Sequence, residues 1–322
     1  AAMTGSREHS ARPGAWVLVA LLVLGYWLAG DRVREALGLP GSGTAPGKGA
    51  GLRVATWNLR NFPDPAQDPG RLRERLHGLD ADLLAVQEVH DPAALQALLP
   101  GFTLALSEHG GRGHQRLGVA FDPQVLALVE PGREHPELSM RGHVRPGFSV
   151  YLRAQAGGPD FHALVVHLKA MRDGYTLRTQ QWSLLADLAR DLLRRDPDLI
   201  VLGDFNATGP AGGTPQAEIA ALEAILGPLG LRRLAASEPC SAYWDGARRD
   251  AWQEPSLLDL VWVAGLHEGL DAATQVRSLH HCARHHCQSF RSTAAYPEPD
   301  FVDLSDHCPV VLDLVHGRDD DP

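Results

Sequence analysis

Positive charge is in deficit: 39 Asp and Glu outnumber 30 Lys and Arg, a net −9 over 322 residues. That excludes the broad basic face of a tight, salt-resistant, non-specific nucleic-acid binder. It does not exclude a nuclease, because an acidic metal site inflates the negative count. Cysteine is scarce. Cys240, Cys282, Cys287 and Cys308 are too few for a disulfide scaffold in a chain this long, although an even number is compatible with export. No internal repeat is visible. Long apolar runs are missing too: a bilayer span needs ~20 apolar residues, and the uncharged run Ala15–Ala29 (AWVLVALLVLGYWLA) falls short.

What is present suits a globular domain with tails. Apolar residues make up 44% and charged residues 21%, enough for a sizeable core. The 33 Gly and 23 Pro imply long loops between short elements. We divide the chain into a tail (1–14), a hydrophobic anchor or signal segment (15–30), a Gly/Pro-rich linker (31–51), a main domain (52–315) and an acidic tail (316–322). Arg7 and Arg12 precede the apolar run and favour keeping the N-terminus in the cytoplasm. The main domain is then expected outside the cytoplasm, exported or membrane-anchored. Leu28-Ala29-Gly30 and Ala36-Leu37-Gly38 are fair cleavage sites, so cleaved signal and retained anchor both stay open. A buried helix of the folded domain is the competing reading of the run.

From Leu52 the pattern alternates short apolar strands with amphipathic helices. Strands are expected at 52–59, 83–89, 103–106, 117–121, 125–129, 148–153, 162–167, 199–202, 257–263, 274–279 and 310–315. Helices are expected at 71–79, 93–99 and from Thr176, as N-cap, to Arg194. On the last helix Leu177, Gln181, Leu184, Leu185, Leu188 and Leu192 share one face. Arg178 and Gln181 are read as possible surface residues with no role. The order points to an α/β four-layer sandwich, two packed mixed β-sheets flanked by helices.

Polar residues stand at the C-terminal ends of several apolar strands, where a sheet edge holds side chains rigidly. Asn58 ends TWN and Glu88 ends VQE. A Glu after four apolar residues is costly to bury without a cation or hydrogen-bonding partner; a rim salt bridge is the bland alternative. In Gly203-Asp204-Phe205-Asn206 the two polar side chains share one strand face and Phe205 takes the other, unless the string is a plain turn. His167 ends ALVVH. Asp259 is a lone carboxylate in SLLDLV, and its natural partner is a histidine that it would orient and keep cationic. Asp306 and His307 adjoin in SDHCPV and together suit metal binding and proton transfer.

The ordered series WN, QE, HLK, GDFN, LD and SDH resembles the endonuclease/exonuclease/phosphatase family, over about residues 52–315. The resemblance implies that Glu88 is the main Mg²⁺ ligand, with Asn58 and Asp306 helping to hold the metal; Mn²⁺ and Ca²⁺ are alternatives. It implies that Asp204 orients or deprotonates the attacking water and that Asn206 positions it and contacts the phosphate. His307, oriented by Asp259, would hydrogen-bond the phosphoryl oxygens or protonate the leaving oxygen. His167 matches a second active-site histidine of the deoxyribonuclease branch, and Arg145 a phosphate-binding arginine there. The chain also departs from that branch: Gln115 stands at or near the glutamate that partners the first histidine, and an active-site tyrosine has no clear match, although His114 is nearby.

The run from His280 to Cys287 (HHCARHHC) has the donors for zinc, or is a loop carrying a disulfide. Cys240 is a candidate partner for either loop cysteine, and Cys308 reads as a small packing residue. Tyr243 and Trp244 are candidates to line a substrate groove and stack on bases. The expected function is metal-dependent, nuclease-like phosphodiester hydrolysis by an activated water. Phosphoesterase action on phospholipid headgroups or small esters is the first alternative, and an inactive binding domain the second. Expected partners are nucleic acid or another phosphodiester and a membrane contacted through the N-terminal segment, with no obligate protein partner.

Overall fold

The apolar run after Gly51 forms β1 (Leu52–Phe62), buried along most of its length because the inter-sheet core covers one face and outer helices the other. In the computed structural model it pairs parallel with β2 (Leu83–Val89) and antiparallel with the last strand, β15 (Val310–Leu314). The structure describes residues 51–246, 250–267, 269–271 and 273–315, together with Ala45, Gly47 and Lys48. The apolar run at 15–29 and the tail from 316 onward lie outside the described residues. Among the described residues no helix is long and apolar enough to cross a membrane.

β3 (Thr103–Leu106), β4 (Arg116–Phe121) and β13 (Arg277–Ser278) complete the first sheet, in the order β13-β15-β1-β2-β4-β3. The second sheet contains β5 (Leu126–His135), β6 (Gly147–Ala154), β7 (Asp160–His167), β8 (Leu199–Asp204), β9 (Arg232–Arg233) and β12 (Asp259–Ala264), ordered β5-β6-β7-β8-β12-β9. A small third sheet joins β10 (Ala242–Asp245), β11 (Trp252–Ser256) and β14 (Phe290–Arg291).

The core lies between the two large sheets. Val54, Leu83 and Val119 of the first meet Val150, Val165, Ile200 and Val261 of the second. Each outer face is covered by helices: α1 (Pro69–Gly78) and α2 (Pro92–Leu98) pack on the first sheet, α3 (Tyr175–Leu193) and α4 (Pro215–Leu226) on the second. The result is the expected four-layer α/β sandwich. Two short helices, α5 (His280–Arg284) and α6 (Pro299–Asp303), sit near the third sheet's residues in a separate small cluster.

Local chemistry explains the starts. Asp68, Asp91 and Thr214 cap α1, α2 and α4 through side-chain oxygens, each followed by proline, whose missing N–H costs nothing at a helix start. Thr176 does not cap α3. The helix begins one residue earlier and runs on from the tight turn at Arg172–Gly174, so Gly174 takes the cap position without a side-chain bond. The expected strand at 274–279 shrinks to β13, because only Arg277 and Ser278 find partners on β15. Arg178 and Gln181 are not surface residues: both are fully buried on α3.

Candidate active site

Three strands of the second sheet end in register. His167 pairs with Asp204 across β7 and β8, and Asp204 with Asp259 across β8 and β12. Directly paired residues point to the same face of a sheet, so the three side chains form one row. β8 ends at Asp204 and does not carry Asn206. The chain turns left-handed at Asn206 (φ 52°), whose N–H donates to Asp204 Oδ1 at 2.9 Å. Phe205 goes to the core against Trp262, with ring centres 6.3 Å apart.

Glu88 arrives from the other sheet. Asn58 and Gln87 are register partners, so in a regular strand Glu88 would face away from the Asn58 side. The register shifts on both sides of this stretch, and Glu88 has φ 62°. Such a bulge re-aims a side chain, here towards the second sheet. Asn58 Nδ2 then donates to Glu88 Oε1 at 3.2 Å and to Asp204 Oδ2 at 3.1 Å. Its Oδ1 accepts from Arg60 N–H, so the amide faces the carboxylates through nitrogen. His167 Nε2 lies 3.2 Å from Asp204 Oδ2 and 3.7 Å from Glu88 Oε1.

His307 faces Asp259, with Nδ1 2.8 Å from Asp259 Oδ2, and its Nε2 lies 3.8 Å from Asp204 Oδ2. Burial alone would lower its pKa, but the Asp259 and Asp204 carboxylates outweigh that and hold it well above the usual histidine value. Burial pushes Asp259 up to about 6 against the pull of His307, so both are ionised at neutral pH. His167 moves the other way: burial and the Arg145 charge keep it neutral. Asp204 stays ionised despite burial, because His167, His307 and Arg145 favour its charge. Arg145, also buried, donates from Nη2 to Leu168 O at 2.6 Å, and the same carbonyl accepts from Asn206 Nδ2 at 3.2 Å.

Residues that sequence reasoning missed hold this set in place. Ser241 Oγ donates to Asp259 Oδ2 at 2.7 Å and accepts from the N–H groups of Leu258 and Asp259. Ser305 Oγ donates to Asn58 O at 2.7 Å and accepts from His307 N–H. The Trp57 indole N–H donates to His307 O at 2.9 Å. Ser305 stands next to Asp306 and was open to suspicion; Ser241 carries no local signal. Asn61 N–H donates to Glu88 Oε2, and Gln115 Nε2 donates to the Asn61 side-chain oxygen at 2.7 Å, away from His167.

Both disulfides border the dyad. Cys240 bonds Cys287, and Cys282 bonds Cys308. Cys308 is thus a cross-linking residue and not a plain packing residue. The 280–287 run is no zinc site through its cysteines, since both thiols are consumed, including the Cys282–Cys308 pair beside His281. Tyr243 does not line a groove: it is buried among Phe290, His281 and His285, and its hydroxyl donates to Gln288 O. Trp244 is 54% exposed.

The donors suit a hard divalent cation. Glu88 receives neutral N–H groups on each oxygen, and Asp306 is pushed up by burial and by its proximity to Glu88, opposed by His307. Two neighbouring carboxylates supply the oxygen ligands that a hard divalent cation prefers. Asn58 would join such a set through Oδ1 only with its amide turned over.

No curated protein matches the chain by sequence. Among solved structures, the human nocturnin catalytic domain with bound sulfate is 19% identical, with TM-score 0.56, over 83% of this chain and 94% of that one. D. rerio TDP2 complexed with single-strand DNA product is 14% identical, TM-score 0.59, over 83% and 100%. A Bacteroides thetaiotaomicron mannosyl-6-phosphatase is 18% identical, TM-score 0.55, over 82% and 99%. These likenesses are of fold. A profile of the Endonuclease/Exonuclease/phosphatase family matches residues 55–307. The chain belongs to that family of phosphoesterase hydrolases.

Proposed function

We propose that the protein is a divalent-metal-dependent phosphodiester hydrolase of nuclease-like type, acting by attack of water. One observation carries this reading: Glu88, Asp204 and His307, from three remote segments, meet around Asn58 and His167 at the edges of two sheets. When bound by Glu88 and Asp306, Mg²⁺ supplies charge neutralisation at a non-bridging phosphate oxygen.

The chain's own groups divide the remaining work. Asp204 is ionised and buried and so accepts a hydrogen bond from the attacking water, with Asn206 holding the phosphate beside it. Arg145 adds fixed positive charge. His307 is an imidazolium whose Nδ1–H donates to Asp259, leaving Nε2–H to hydrogen-bond a phosphoryl oxygen or protonate the leaving oxygen. His167 is neutral and donates from Nε2 to Asp204, which orients that carboxylate.

Export or membrane attachment through residues 15–30 is part of the proposal, supported by two disulfides, which persist in oxidising compartments. A panel of plasmid DNA, RNA, sphingomyelin and a simple phosphomonoester, each with and without EDTA, tests the reading. We expect EDTA-sensitive cleavage of a nucleic acid, with His307→Ala at least ~10²-fold slower while still folded. Cleavage of sphingomyelin or the monoester alone would move the substrate to lipid headgroups or small esters. A chain that cleaves nothing would be a binding domain.

A further inference from the structure

A cavity of ≈ 620 Å³ has Arg112, Arg141, His143 and Lys169 in its lining but no carboxylate. In a chain of net charge −9 this is unusual. Several arginines elsewhere are neutralised: Arg71, Arg153, Arg190, Arg195, Arg277 and Arg284 each meet an Asp or Glu. Among the described residues no carboxylate pairs with Arg112, Arg141 or Lys169.

Two residues of its wall are sequence neighbours of residues at the proposed phosphate position. These are Val144 and Lys169, next in the chain to Arg145 and Leu168, which are joined by the 2.6 Å hydrogen bond. Its charges sit on supported backbone. Lys169 N–H donates to Gln181 Oε1 at 2.9 Å and its carbonyl accepts from Arg178 at 2.9 Å. Gly111 lies so close to the Val144 carbonyl that an added Cβ would come within 2.4 Å of it, which brings Arg112 alongside. No Phe, Tyr or Trp lines the cavity, so it offers phosphate recognition without base stacking.

We propose that this cavity holds a second phosphate of the substrate, next to the phosphodiester under attack, so that the enzyme prefers oligonucleotides to isolated diesters whatever their bases. This rests on the reading of the site as a nuclease-like hydrolase, and two arms separate the two ideas.

In the first arm kcat/KM is measured with Mg²⁺ for TpT, pTpT, TpTp and bis(p-nitrophenyl) phosphate. The wild-type chain should favour one of the phosphorylated dinucleotides over TpT roughly tenfold, the scale of one charge-assisted hydrogen bond. The double variant Arg141→Ala/Lys169→Ala should abolish that preference and leave bis(p-nitrophenyl) phosphate cleavage unchanged. A preference that survives the double variant, or never exists, overturns the subsite while the hydrolase reading stands.

The second arm needs no turnover. Binding of fluorescein-labelled hexathymidylate in EDTA should weaken in the double variant, and its log–log salt slope should fall by about 0.7 per lost phosphate contact. Unchanged affinity and slope overturn the subsite even if no diester is cleaved. Loss of binding to phosphatidylglycerol vesicles, with hexathymidylate binding intact, would assign the cavity to a membrane surface and equally overturn it.

Discussion

The two sides of the candidate site are held by different means. On one side the Asp259–His307 dyad is tied covalently to its surroundings. Cys240 precedes Ser241, which holds Asp259, and Cys308 follows His307. Both are bonded to cysteines at 282 and 287, within one short stretch. Backbone bonds from Cys308 N–H to Ser241 O and from Tyr243 N–H to Asp306 O complete the clamp. On the other side Arg145 and Asn206 converge on the Leu168 carbonyl, next to His167, without a cross-link. Behind them lies a buried ion pair, Arg178 with Glu218, at 2.7 Å and 3.0 Å. Arg178 also donates to Lys169 O and Thr208 Oγ1, and Glu218 accepts from Gly209 N–H. The ion pair therefore joins the loop after His167 to the loop after Asn206. The dyad is fixed by covalent bonds, whereas the loops after His167 and Asn206 are fixed by a polar network.

The largest effect should come from cutting that network. Arg178→Ala leaves Glu218 buried without its cation, and breaking one partner of a buried pair costs ~3–5 kcal/mol. Urea unfolding measures it. The double variant Arg178→Met/Glu218→Met should recover much of this stability, because removing both charges avoids the uncompensated one. Its kcat should nevertheless stay low, since the loop carbonyls lose their anchor. A single variant costing under ~1 kcal/mol would mean that the loops are held by something else.

Next in size is the clamp. Cys282→Ala/Cys308→Ala opens a link spanning 26 positions, and loss of a native disulfide costs about 2–4 kcal/mol. Here the comparison sharpens: kcat should fall through the loosened His307, whereas hexathymidylate binding in EDTA should stay at the wild-type level. Equal losses in both measurements would show that the two sides are one cooperative unit.

How much of this was legible beforehand differs between the sides for a physical reason. Strand ends were readable, because apolar runs such as LLAVQEV and LIVLGD carry their polar residue in a fixed place. So were the four layers, while the pairing of Asp259 with His307 in particular was legible only through the family resemblance. The aim of Glu88 was not readable, since it depends on a register shift between two strands distant in sequence. Arg178 looks like solvent-facing charge on a helix. What buries it is Glu218 on a different helix and carbonyls of a distant loop, none of which leaves a trace in local periodicity. Cysteine pairing is hidden likewise, as any two of four thiols can bond until the fold chooses.

The smallest effect concerns acid. His280 and His281, in the stretch that anchors the clamp, are pushed by burial down to about 3 and about 4, with Asp300 and Glu298 opposing and Arg284 assisting. An unfolded chain takes up these protons near pH 6.5. Between that value and about 4 the unfolded state binds protons that the folded state refuses, so stability is lost as pH falls, by ~1.4 kcal/mol per pH unit for each histidine. His281 packs against Tyr243, Phe290 and Phe301. His281→Phe keeps a ring of similar size there and removes one titrating group. Urea midpoints at pH 7 and pH 5 should therefore differ less in the variant than in the wild type. Equal differences would show that His281 exchanges its proton as freely in the folded state as in the unfolded one, and that the acid sensitivity of this side lies with His280 or with the dyad itself.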